Sequence, residues 1–199
     1  MTMAFGPIPS LVRITLADPA EGVRRLQAMD LPVQVRGLAF AFVAIVTILP
    51  TEMLLLAVPE GDLTPLELAM RRPVAAALAQ AVTMLLVAGA ITVVGRWFGG
   101  RARFADAVVA VAWVQFILFL FQIAQFALLA VFPPIGVLFS LVSVGVLFWL
   151  MVGVTAALNG FSNRLLVLLA VVATGLVIAF CLGAVAAALG IVPGIAANV

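Results

Sequence analysis

Two carboxylates interrupt otherwise apolar stretches of the chain, Glu52 and Asp106, and three amides follow the second of them, Gln115, Gln122 and Gln125. An acid inside an apolar run is expensive unless it meets a proton, a cation or water, so intramembrane acids are functional candidates by default. Glu52 follows Pro50, which lacks an amide donor and leaves a carbonyl free, placing the acid in a deformable stretch. It is the better candidate for proton or cation contact, with headgroup contact as the simpler use. Asp106 lies in the first turn of its helix, where a negative charge complements the helix dipole, and Arg101 or Arg103 is its expected partner. The three glutamines fall within roughly 80° of arc at 100° per residue, so they share one helix face. Such a face either joins helices through amide hydrogen bonds or lines a polar path for a small substrate or ion.

Other chemistry is absent by composition. The chain has no histidine and no tyrosine, and its one cysteine, Cys181, sits in an apolar run. That removes the usual zinc sites, His-activated nucleophiles and haem ligation. Gly99-Gly100-Arg101 lacks the GxxxxGK[ST] phosphate-loop pattern and follows no strand. No catalytic residue, metal or cofactor is expected. The sequence pI is about 10.0 but the net charge is only +2, and all ten cations are scattered arginines, which fits membrane orientation and not nucleic-acid binding.

The elements that must position these groups are membrane helices. Of 199 residues, 66% are hydrophobic and 9% charged, too few charges for a water-soluble surface. About 20 apolar residues are needed to cross the ~30 Å hydrocarbon core, and five segments qualify, 37–58, 74–95, 105–131, 135–158 and 165–189. The third and fourth are separated by Phe132-Pro133-Pro134, where paired prolines break the helix. Lipid requires backbone groups to be satisfied within each segment, and no alternation of apolar and polar residues supports a barrel. The expected fold is all-α, a bundle of five transmembrane helices in residues 37–199, preceded by a segment 1–36 with a short amphipathic helix. Asp18-Pro19-Ala20-Glu21 starts that helix as N-cap, first-turn proline and capping-box acid, and it runs to about Met29. Val23, Leu26 and Met29 form one face. Arg24 and Arg25 point elsewhere, either toward anionic headgroups from a helix on the membrane surface or outward from one packed beneath the bundle. Thr64-Pro65-Leu66-Glu67 repeats the capping pattern in the first loop.

Eight arginines, Arg101 and Arg103 among them as candidate headgroup contacts, fall on the N-terminal side of this topology and two, Arg71 and Arg72, on the other. The positive-inside rule then puts the N-terminus in the cytoplasm and the C-terminus outside. No short apolar region with a small-residue cleavage site precedes the first span, so no cleaved signal peptide is expected. Arginine without lysine, beside abundant Ala, Val and Leu, points to a GC-rich bacterial genome and hence to a bacterial inner membrane. In the fifth span Gly175, Ala179, Gly183 and Ala187 recur every four residues and clear a groove for a neighbouring helix. The commoner use of such a groove is packing inside the monomer; the other is a homo-oligomer or a partner membrane protein.

The Leu16-Ala17-Asp18-Pro19 lead-in, the short helix with Arg24 and Arg25, the loop Gly99-Gly100-Arg101-Ala102-Arg103-Phe104-Ala105-Asp106-Ala107 entering span three, and five spans with a minimal tail together resemble the YIP family, the Ypt/Rab-interacting membrane proteins, in a compact bacterial-type form. The resemblance implies a cytoplasmic N-terminus and a scaffolding or membrane-organising role, as in eukaryotic relatives that engage small GTPases and shape membranes.

Overall fold

A computed structural model describes residues 7–56, 58–64, 67–68 and 71–188, and among them all regular structure is helical. The expected end of span five at Leu189, the tail after it and parts of the first loop lie outside the described residues.

The chain opens with a helical hairpin, α1 (Pro7–Ala17) and α2 (Pro19–Ala28). Helix α1 was not expected from the sequence, although Ile8, Leu11, Val12, Thr15 and Leu16 recur at helical spacing, and Leu11 and Thr15 are buried. Asp18 stops α1 and caps α2: its Oδ1 accepts from the amides of Ala20 (3.0 Å) and Glu21 (3.3 Å). The first span is broken into α3 (Val33–Val46) and α4 (Leu49–Leu56). Pro50 has no amide for the carbonyl one turn back, and Thr47 Oγ1 donates to the Val43 carbonyl (2.8 Å) just before the break.

A single 3-10 turn, Glu60–Asp62, follows α4. In the first loop the Thr64 amide and hydroxyl both donate to Glu67 Oε2 (2.7 Å each), while the Glu67 amide donates to Thr64 Oγ1 (3.3 Å), closing the expected capping box. These bonds to Thr64 hold the Glu67 carboxyl below its ordinary value.

Four longer helices complete the bundle: α5 (Pro73–Trp97), α6 (Phe104–Val131), α7 (Pro133–Asn159) and α8 (Arg164–Ala188). Helices α5 and α7 begin with proline, whose missing amide costs nothing at that position. Both end in a left-handed glycine. Gly99 (φ 81°) follows α5, with the Gly100 amide on the Gly95 carbonyl (2.8 Å), and Gly160 (φ 76°) follows α7, with the Phe161 amide on the Ala156 carbonyl (2.9 Å). Asn163 caps α8 through the amides of Leu165 (3.1 Å) and Leu166 (3.2 Å).

The core sits where α5, α6 and α7 meet, with Met84, Val111, Val114, Ile117, Leu150 and Val154 fully buried. Helix α3 packs on α5 and α6. Helix α8 rests on α7 and touches α5, and Val167 is its one buried residue among those described. Many of its large apolar side chains, Leu165, Leu166, Leu169, Val177 and Phe180 among them, face outward, which water would not tolerate and lipid does.

Candidate functional site

The helix ends on the N-terminal side carry three arrangements that bring distant residues together. The first docks the α1–α2 hairpin. Trp113 of α6 donates its indole N–H to Thr15 Oγ1 (3.0 Å), and that hydroxyl donates to the Leu11 carbonyl (2.8 Å). Trp149 of α7 donates to the Leu16 carbonyl (2.9 Å), one of the carbonyls left over at the C-terminal end of α1. The Pro19 ring lies on Gly153, where only a residue without a side chain lets α2 approach α7. Val23 and Leu26 are buried against α6 and α7, so α2 packs beneath the bundle, whereas Met29, expected on the same face, is exposed. Arg24 and Arg25 are exposed and both bond Glu21, at 3.0 Å and 2.8 Å. Arg25 first, then Arg24, holds the Glu21 carboxyl below its ordinary value.

The second arrangement corrects the expected partner of Asp106. Arg101 and Arg103 lie in the extended run before α6, and the carboxylate instead faces Arg36 of α3 at 3.7 Å. The Arg36 guanidinium also donates to the Leu31 carbonyl (2.6 Å) and reaches Asp30 (3.6 Å), fastening the start of α3 to the start of α6. Because both partners are partly exposed, Asp106→Asn is expected to cost no more than about 1 kcal/mol in detergent-induced unfolding. A much larger loss would assign Asp106 a partner other than Arg36.

Glu52 lies on α4, sixteen positions along the chain from Arg36, which is roughly 24 Å of helix rise, so it cannot act with Asp106 as an acid–base pair separated by ~5–9.5 Å. It is buried, and among the described residues its carboxylate has no hydrogen-bond or ion-pair partner. The three glutamines do not converge. Gln122 donates to Thr51 Oγ1 of α4 (3.3 Å), Gln125 is half-buried without a side-chain bond among the described residues, and Gln115 lines a cavity.

That cavity is the third arrangement. It has a volume of about 370 Å³, lies between α8 and the α5–α6–α7 core, and is almost wholly apolar, with Val94, Val114, Met151 and Ala170 among its walls. Thr155 is among the residues around it, but its hydroxyl is buried away from the open space and has no partner. One turn on, Asn159 donates to the Ile91 (3.2 Å) and Thr155 (3.1 Å) carbonyls while its Oδ1 stays unpaired, pressed between Gly95 and Gly100. Sequence reasoning missed Trp113, Trp149, Gly153, Thr155 and Asn159. Thr155 and Asn159 carried a signal, as polar residues one turn apart in an apolar helix.

The small-residue stripe of α8 is not packed within the chain. A side chain built on Gly175 or Gly183 meets nothing within 4 Å, and Ala179 is exposed. Successive members rotate about 40° around the helix, so the stripe turns from the cavity wall at Gly175 to the outer surface at Gly183.

Five long apolar spans with a docked N-terminal hairpin define a multi-pass helical membrane protein. The family model described as Yip1 domain matches residues 14–186, most of the chain, from the end of α1 to near the end of α8, and the chain belongs to that family. No curated protein and no solved structure matches it.

Proposed function

We propose that the chain is a non-enzymatic membrane scaffold of the YIP family, one that binds a partner membrane protein or a second copy of itself, with its N-terminus in the cytoplasm and its C-terminus outside a bacterial inner membrane. The observation that carries this reading is α8, a full-length apolar helix attached along one edge and presenting an unpacked small-residue surface around Gly183. Residues 1–36 then form the cytoplasmic segment and 37–199 the membrane domain, with eight arginines against two setting the orientation. Exposed Arg101 and Arg103 supply headgroup contacts on the cytoplasmic side, as do Arg24 and Arg25 beyond their bonds to Glu21. The two acids that could have cooperated in catalysis stand far apart, which supports a role without chemistry.

A cysteine moved onto the stripe tests the reading: Ala179→Cys in a Cys181→Ser background is exposed on α8 one turn from Gly183 and on the same face. Thiol crosslinking in membranes is expected to yield a dimer or a discrete adduct in that protein and to lose it when Gly183→Leu is added. Unchanged crosslinks in the variant remove the groove from the proposal.

A second reading, a subunit of a small-substrate or ion transporter, is favoured by Gln115 in the cavity wall. Cysteine accessibility scanning along α6 decides it: labelling confined to the face of Gln115, Gln122 and Gln125 supports a pathway. Labelling around the whole helix, or at none of the three, excludes one.

A further inference from the structure

The carboxylates of the described residues mostly have a visible task. Asp18 caps α2, Glu21 bonds Arg24 and Arg25, Asp30 and Asp106 face Arg36, Glu67 closes its capping box, and Asp62 is exposed to solvent. Glu52 has none of these. Among the described residues it makes no hydrogen bond or ion pair, and it is only 8% exposed. Its oxygens are nonetheless open to space that a ligand can enter, unlike the sealed Thr155 Oγ1 and Asn159 Oδ1. Headgroup contact does not account for it, because Glu52 shares the buried face of α4 with Leu55 while Met53, Leu54 and Leu56 point outward. A buried carboxylate left unpaired is costly, and a cation is what removes that cost.

We propose that Glu52 binds one alkali-metal cation at the break between α3 and α4, with the side-chain oxygen of Gln122 as a neutral ligand beside it. Thr51, the residue before Glu52, brings Gln122 of α6 to this turn. Gln122 spends an amide N–H on Thr51 Oγ1 (3.3 Å), which leaves its Oε1 a free acceptor among the described residues. The break is a further source of oxygen, since Pro50 offers no amide to the Val46 carbonyl and α4 resumes only at Leu49. Broken membrane helices use such freed carbonyls to hold sodium or protons. The charge count selects the ion: one carboxylate neutralises a monovalent cation, whereas a divalent one would leave a net charge in apolar surroundings. The oxygen-only donor set suits the same hard ion, and among the described residues no group of three His, Cys, Asp or Glu exists to hold a transition metal. Leu56 ends α4 four residues further on, roughly 6 Å of rise, so the site lies about one turn inside the span. This inference goes beyond the scaffold reading and does not depend on the stripe at Gly183.

The test is binding of radioactive sodium to the full chain in nanodiscs, read by scintillation proximity with choline chloride holding the ionic strength constant. The wild type is expected to bind sodium saturably, one per chain, with unlabelled sodium competing and choline not. Glu52→Gln, which keeps the shape and removes the charge, abolishes binding, and Gln122→Leu lowers the affinity at least tenfold. In sodium-free buffer Glu52→Gln unfolds no earlier than the wild type, because it leaves no charge buried. If Gln122→Leu does not fold, Glu52→Gln decides alone. The proposal is overturned by binding that Glu52→Gln leaves unchanged, or by magnesium displacing the bound sodium at lower concentration than unlabelled sodium does. It is equally overturned by a wild type that binds no sodium; modification of Glu52 by dicyclohexylcarbodiimide in that case assigns the group a proton instead.

Discussion

Gly95→Ala is expected to destabilise the protein by about 1–3 kcal/mol, and Asn159→Ala is expected to relieve most of that loss. A β-carbon on Gly95 would come within 2.6 Å of Asn159 Cγ, and one on Gly100 within 2.7 Å of the same atom, so both glycines exist to admit that side chain. Asn159 cannot step aside cheaply, because it is buried and its amide is tied to two carbonyls. Asn159→Ala alone forfeits those bonds, for about 1–2 kcal/mol, but it also removes the unpaired Oδ1. The double variant is therefore expected to be no less stable than Asn159→Ala by itself. The measurement is the midpoint of dodecyl sulfate unfolding followed by tryptophan fluorescence. Simple additivity of the two single losses would show that the close approach of α5, its following turn and α7 is not enforced at this point.

Gly153→Leu is expected to release the N-terminal hairpin. A β-carbon there meets Pro19 Cβ at 2.6 Å and Cγ at 2.8 Å, and a proline ring that opens a helix has no rotamer into which to retreat. Undocking breaks the Trp113 and Trp149 hydrogen bonds and uncovers Leu11, Val23 and Leu26, each worth about 1.5–3 kcal/mol when its burial is exchanged for water. Trypsin added to detergent-solubilised protein is expected to cut at Arg13, Arg24 or Arg25 at least tenfold faster in this variant. Trp149→Phe, which removes one donor and keeps the ring, is expected to give a much smaller increase. Equal cleavage in Gly153→Leu and wild type would mean that the hairpin is held by contacts other than this one.

Local signals were legible in the sequence, and long-range pairings were not. The five apolar runs, the Pro133-Pro134 break, the Asp18 cap and the Thr64–Glu67 box all depend on residues within a turn or two of one another, and each formed as expected. Helix α1 was equally local but went unread, because its eleven residues are too short to count as a span and follow Gly6-Pro7 without the Asp-Pro or Thr-Pro pair that marks the later helix starts. Asp106 could not be matched with Arg36 because seventy residues separate them, and the nearer arginines lie in an extended run instead. The glutamines were grouped as one face from their spacing, yet they meet different neighbours along the length of α6. For the stripe on α8, spacing alone said that a helix could approach but not whether one did. Within the chain, none does at Gly175 or Gly183.

The tryptophan bonds that fasten α1 also impose a timetable on biogenesis. Leu16 leaves the ribosome 133 residues ahead of Trp149, an interval on the order of 10 s at ordinary elongation rates. Throughout it, the newborn hairpin has its apolar face made and its receptor not yet synthesised. The surface of the bilayer is the nearest place for that face to wait, so the N-terminal segment must be able to rest on lipid before it rests on protein.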